Sequence, residues 1–243
     1  VRAKVTWEWA PGMATYAGYE WANEGYFLAD RLNRGDRFEV RLLPAEAQWA
    51  PAFGVVTSDF DGDGHEDVFL SQNFTDVGPD REPEDSGIGL MLHGDGRGGL
   101  ASMSSNDSGI RVFGQQRGAA VSDFDGDGRP DLVVAQHGEV TRLFRNIAGS
   151  PGLRVRLRGN SGNPTATGAQ VRWLDSGGPR GPVKEVHCGG GYWSQDSAVV
   201  LLSNRAAAHG LWIRWPQGAV QEFEVPAGAR EVEIVRDSPG NKR

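Results

Sequence analysis

Cysteine is almost absent from this chain of 243 residues: Cys188 is the sole thiol, so no intrachain disulfide can form. Long apolar runs are missing too, and none approaches the ~18 residues that a membrane-spanning helix needs. No G-x-S-x-G nucleophile motif occurs. His65, His93, His137 and His209 show no metal-ligand spacing. His187 and Cys188 are adjacent but lack further partners, which reads as a buried thiol beside a surface imidazole. Basic charge is short as well: the formal net charge is −7, which disfavours long-range attraction to nucleic acid or an anionic membrane. No secretory leader pattern opens the chain. Val1 runs straight into VTWEW, which reads as the interior of a fold, and the expectation is a fragment or a processed form.

Glycine, in contrast, is abundant, at 35 residues spread along the chain, which favours many tight turns between short strands. The chief organising feature is an internal repeat. FGVVTSDFDGDGHEDVFLSQ begins at Phe53, and GAAVSDFDGDGRPDLVVAQH begins at Gly118, with Asp59 and Asp123 64 residues apart. A weaker pair, LADRLNRGDRF from Leu28 and LMLHGDGRGGL from Leu90, has nearly the same spacing, and VTRLFRN at Val140 reads as the start of a third copy. A unit of this size holds about four strands. Asp76 to Gly87 is acidic and carries two prolines, and reads as an exposed loop.

Each copy contains D-F-D-G-D-G-x-x-D between β-branched, apolar flanks. Asp59, Asp61, Asp63 and Asp67 occupy positions one, three, five and nine of the first loop; Asp123, Asp125, Asp127 and Asp131 occupy those of the second. Four carboxylates this close repel one another unless a cation neutralises them. Calcium suits such a set because it takes six to eight oxygens in flexible geometry. The backbone carbonyls of His65 and Arg129 at position seven would add a further oxygen each. Position twelve is Leu70 or Val134 inside an apolar strand, so neither loop is an EF-hand. The expected cofactor is therefore calcium, two ions per chain.

After Asn146 the repeat stops. Ala148 to Gly152 (AGSPG) reads as a linker, and LRVRLRG, AQVRWL, PVKEVHC, AVVLLS, LWIRWP, AVQEFEV and REVEIVR then read as strands of a second all-β domain of sandwich type. The predicted organisation is residues 1–147 as the repeat domain, 148–152 as linker, 153–236 as the second domain and 237–243 as a polar tail. Within the second domain Tyr192, Trp193, Ser194, Gln195 and Asp196 form a GYWSQD loop. It offers an aromatic platform with hydrogen-bonding neighbours, as sugar-binding loops do, or else a turn whose rings pack between sheets. Trp7, Trp9, Trp21 and Trp49 read as packing residues of the repeat domain or, as the alternative, as an exposed edge where further blades or a partner chain dock. Asn73-Phe74-Thr75 and Asn106-Asp107-Ser108 match glycosylation sequons.

Phe53-Gly54, Phe113-Gly114, the Asp loops and the repeat length resemble FG-GAP repeats, as in the propellers of integrin α-chains. That resemblance covers residues 25 to 147 and implies four-stranded β-propeller blades with calcium between the first two strands. It departs in number, since two and a half blades are fewer than a closed propeller uses. LRVRLRGNSGNPTATGAQVRW at 153–173, GGGYWSQDS at 189–197 and LWIRWPQGAVQEF at 211–223 resemble the ASPIC and UnbV domain that follows such repeats in cartilage acidic protein and bacterial secreted proteins. VVLLSNRAAAHG departs from the His-Phe-Gly-Leu-Gly type of run expected there. Together these imply an all-β, partly propeller-like protein. The expected function is a non-catalytic, calcium-binding adhesion or scaffold module that is secreted, extracellular or periplasmic. The alternatives are an accessory part of a secreted enzyme and a carbohydrate-binding module. Partners would be a protein or further blades.

Overall fold

The computed structural model describes residues 42–75, 79–80 and 87–236, and the backbone of 2–10 and 13–20. The Leu28 copy of the weaker repeat, most of the acidic 76–87 stretch, the 237–243 tail and the side chains of Trp7, Trp9 and Trp21 lie outside the described residues. The described chain is nearly all β, in several mainly antiparallel sheets.

Strands β1 (Arg2–Ala10) and β2 (Met13–Glu20) pair as an antiparallel hairpin. Strands β3 (Ala52–Ser58), β4 (Asp67–Gln72), β5 (Leu90–Gly94) and β6 (Leu100–Met103) then form one four-stranded sheet in chain order. A one-turn helix α1 (Ser105–Ser108) is capped by the Ser104 side chain and by Gly109 in the left-handed region. Strands β7 (Gln116–Ser122), β8 (Asp131–Gln136) and β9 (Arg142–Phe144) repeat the first three strands of that sheet.

Period-two alternation decides which faces meet. Val56, Phe69 and Met91 lie in register on one face of the first sheet. They share a core with Ala119, Leu132 and Val134 of the second. The opposite face of the first sheet presents Leu70 and Leu92 to Ala47. Covered on both sides, β4 is buried at five of its six positions, which explains why DVFLSQ shows no clean alternation.

The C-terminal part has two sheets. Strand β10 (Leu153–Arg158) sits between β13 (Val200–Leu202) and β16 (Glu231–Val235), antiparallel to the first and parallel to the second. Strands β11 (Gln170–Asp175), β12 (Gly178–Glu185), β14 (Gly210–Arg214) and β15 (Val220–Glu224) make the second sheet, in the order β12-β11-β14-β15. Leu153, Val155 and Leu157 from β10 meet Val171, Leu211 and Ile213 from the facing sheet in one core. The alternate residues of β10 point outward, where Arg154, Arg156 and Arg158 face Glu231 and Glu233 of β16.

Three sequence expectations meet a different environment. Trp49 is 65% exposed rather than packed inside. Cys188 is exposed, because Val186 is the last inward residue before the glycine-rich turn. Asn73 is fully buried and donates to the Phe113 carbonyl, so the first sequon offers no accessible amide, whereas Asn106 is exposed.

Candidate metal centres

The two Asp loops join β3 to β4 and β7 to β8, and their hydrogen bonding matches position by position. Asp59 Oδ1 accepts from Gly62 N at 2.8 Å and Asp63 N at 3.0 Å, and its Oδ2 accepts from Gly64 N at 2.8 Å. Asp123 accepts from Gly126 N, Asp127 N and Gly128 N at the same three distances. The glycines are required here. Gly62 and Gly64 have φ of 79° and 96°, Gly126 and Gly128 of 77° and 89°, a region that side chains other than glycine enter only with strain. His65 N and Arg129 N, at position seven, donate to Asp63 Oδ1 and Asp127 Oδ1.

The ninth position turns inward. Asp67 is 3% exposed, with Oδ2 accepting from Phe60 N at 2.9 Å and Oδ1 from Gly94 N at 2.9 Å. Asp131 is 2% exposed and accepts equivalently from Phe124 N and Asn146 N, both at 2.8 Å. Asp67 thus ties its loop to the end of β5, and Asp131 ties its loop to the chain just beyond β9. Burial raises the Asp67 pKa above the usual carboxylate range, against the lowering effect of those two N–H groups.

Carboxylate oxygens of Asp59, Asp61 and Asp63 lie within 4.8 Å of one another, and so do those of Asp123, Asp125 and Asp127. Asp61, Asp67 and His93 form a third such group, which shares Asp61 with the first. Oxygen donors held this closely on a glycine-curled backbone fit a hard, oxygen-seeking cation such as calcium. The exposed edge of each loop, at Asp61 and Asp125, leaves a path from solvent. His93, Asn146 and the residues of the C-terminal domain that touch the loops carry no motif. They become visible only when Asp67 Oδ1 is matched to Asp131 Oδ1, which pairs Gly94 with Asn146 and hence His93 with Arg145.

Residues 148–152 run across both loops rather than standing free of them. Ser150 N donates to the Asp61 carbonyl and Gly152 N to the Gly128 carbonyl, both at 2.8 Å. Asn146 Nδ2 donates to the Phe60 carbonyl at 2.6 Å. Beyond the linker, Ser203 Oγ contacts Asp59 Oδ2, Arg154 Nη1 contacts Asp123 Oδ2, and Lys184 Nζ pairs with Glu66. A cavity of about 310 Å³ lies between the loops and this domain, lined among others by Ser58, Ser122, Asp123, Lys184 and Asp196.

The GYWSQD loop divides its residues between two environments. Asp196 Oδ1 accepts from Val121 N at 2.7 Å and so clamps the edge of β7. The Tyr192 ring meets Phe53 with centroids 6.1 Å apart, and the Arg117 guanidinium lies 4.4 Å over Phe53. Ser194 Oγ is buried without a hydrogen-bond partner, and Gln195 is exposed. Trp193 is 92% exposed at φ 50° and packs between no sheets.

Comparison with known families agrees with this layout. The model of the FG-GAP-like repeat matches residues 59–134, which include both Asp loops. The model of ASPIC and UnbV matches residues 159–241, starting just after β10. No curated protein matches the chain. Among the described residues no helix is long and apolar enough to cross a membrane. The chain carries an FG-GAP-like repeat followed by an ASPIC and UnbV domain.

Proposed function

We propose that this chain is a calcium-stabilised, non-catalytic binding or scaffold module that works outside the cell. The observation that carries the reading is the pair of loops, each gathering three carboxylates within 4.8 Å on a backbone curled by two left-handed glycines. Bound calcium would be held by Asp59, Asp61 and Asp63 or by Asp123, Asp125 and Asp127, with Asp67 and Asp131 fixing the loops to the end of β5 and to the chain just beyond β9. The ion would neutralise their mutual repulsion. Extracellular sites of this kind bind at about 0.1–1 mM, so they fill only where calcium is millimolar. At a dissociation constant of about 0.1 mM and about 1 mM free calcium, each filled site adds about 1.4 kcal/mol to stability.

Titration calorimetry of the full chain should detect calcium binding that Asp61→Ala combined with Asp125→Ala abolishes. Chelation should lower the melting temperature and speed amide exchange at 55–70. Binding that survives the double substitution would sink the assignment. A second reading, carbohydrate binding, draws on the near-complete exposure of Trp193, whose ring lies beside Tyr192 with centroids 6.4 Å apart and leaves a face open to a sugar. Glycan-array binding lost in Trp193→Ala would favour it, and an array without hits would remove it.

A further inference from the structure

The backbones of the two loops match, but the side chains seated on them do not. Matching Gly94 to Asn146 places His93 and Arg145 in equivalent seats beside position three. His93 Nδ1 lies 3.2 Å from both Asp61 Oδ2 and Asp67 Oδ1. Arg145 Nε contacts Asp125 Oδ2, and its Nη2 lies 3.6 Å from Asp127 Oδ2. The seat on Oδ2 of position one differs in the same sense: Ser203 Oγ occupies it on Asp59, and Arg154 Nη1 occupies it on Asp123. Position seven repeats the contrast, with Arg129 Nη1 2.8 Å from Asp127 Oδ2 where the first loop has His65.

Three guanidiniums therefore sit on three of the four carboxylates of the second loop, Asp123, Asp125 and Asp127. Among the described residues none reaches those of the first. A guanidinium is charged at every accessible pH, whereas a hydroxyl is neutral and an imidazole need not carry charge. Arg154 is also held in place. Its side chain is 13% exposed, and it bridges Asp123 to Glu231, whose Oε2 lies 3.1 Å from Nε. It belongs to β10, at the centre of its sheet, so the contact joins the C-terminal domain to the repeat.

We infer that the two loops have divided their roles: the first is the cation seat, and the second is an arginine-neutralised socket that docks the C-terminal domain through Arg154. This rests on the calcium reading for the first loop alone. A divalent ion entering the second loop would meet Arg145 and Arg154 on the carboxylate oxygens it needs, so like charge and occupied oxygens both oppose it.

Exchanging the seats tests the inference. Calcium titrations of the wild-type chain should give one tight ion, lost in Asp61→Asn and kept in Asp125→Asn. Arg145→His with Arg154→Ser should add a second ion, bound at least about tenfold tighter than at the wild-type second loop. His93→Arg should weaken the first by a similar factor. Arg145→His alone guards against misfolding, since Arg145 is 62% exposed, and should give a smaller gain in the same direction. Two equal ions in the wild type, loss of the tight ion in Asp125→Asn, or no gain from the exchange would overturn the inference. A wild type that binds no calcium would refute the cation seat and the calcium reading together. The socket is then decided separately in chelator. There, amides 126–128 should exchange more slowly than 62–64, and Arg154→Ser should erase that difference. Equal exchange in the wild type would overturn the socket.

Discussion

Removing the Asn146 side chain should loosen both loops and the linker at once, because its amide bonds to each. Nδ2 donates to the Phe60 carbonyl at 2.6 Å, in the first loop, and to the Pro130 carbonyl at 3.3 Å, in the second. Oδ1 accepts from Ala148 N at 3.2 Å and Gly149 N at 3.0 Å, in the linker. Four bonds at about 1 kcal/mol each amount to about 4 kcal/mol for Asn146→Ala. Ala148 N is exposed, so water replaces that bond, and the expected loss is about 2–3 kcal/mol. For a chain of this size that is about 4–12 °C in melting temperature. Asn146→Asp is the informative partner. It keeps both acceptor bonds, loses both donor bonds and places a carboxylate against two carbonyls, so it should not rescue stability. The measurement is urea unfolding with chelator present, followed by amide exchange at Gly149. A loss below about 0.5 kcal/mol in Asn146→Ala would mean that the bridging bonds add nothing over their hydration, and the account of how loops and linker are joined would fall.

Other substitutions separate backbone strain from packing. Gly62→Ala should destabilise more than Gly64→Ala: both glycines have positive φ, worth about 1–2 kcal/mol of strain, but only at Gly62 would the new Cβ meet the linker, at 2.5 Å from Ser150 O. Equal losses in chemical denaturation would refute the close approach. Trp193→Gly should raise stability by up to about 1 kcal/mol, since it relieves φ 50° and removes a ring with few contacts; a clear loss would show that the indole packs. Ile213→Ala empties a fully buried position and should lose about 2–5 kcal/mol. Its exchange protection should fall across 153–235 first, and a fall confined to 55–70 would contradict the separate core.

The repeat, the spacing of its aspartates and the alternation of the later strands follow from local physics: like charges crowded in a tight turn, glycines where φ is positive, and apolar residues at every second position. These determine the loop backbones, the all-β class and the resemblance to FG-GAP and ASPIC/UnbV families, all legible before any contact is known. The partners of the loops are another matter. His93 and Arg145 occupy the same seat because β5 and β9 pair with β4 and β8 in the same way, while HGD and RNI share no visible motif. Arg154 reads as an ordinary outward residue of an alternating strand, and only docking of β10 against the second loop puts its guanidinium on Asp123. Residues 148–152 read as a linker because Gly, Ser and Pro favour one, yet their N–H groups find carbonyls in both loops. Charge and turn chemistry act over a few residues and can be read in order along the chain. Arg154 and Asp123 lie 31 residues apart in sequence, and tertiary packing alone brings that charge to that carboxylate.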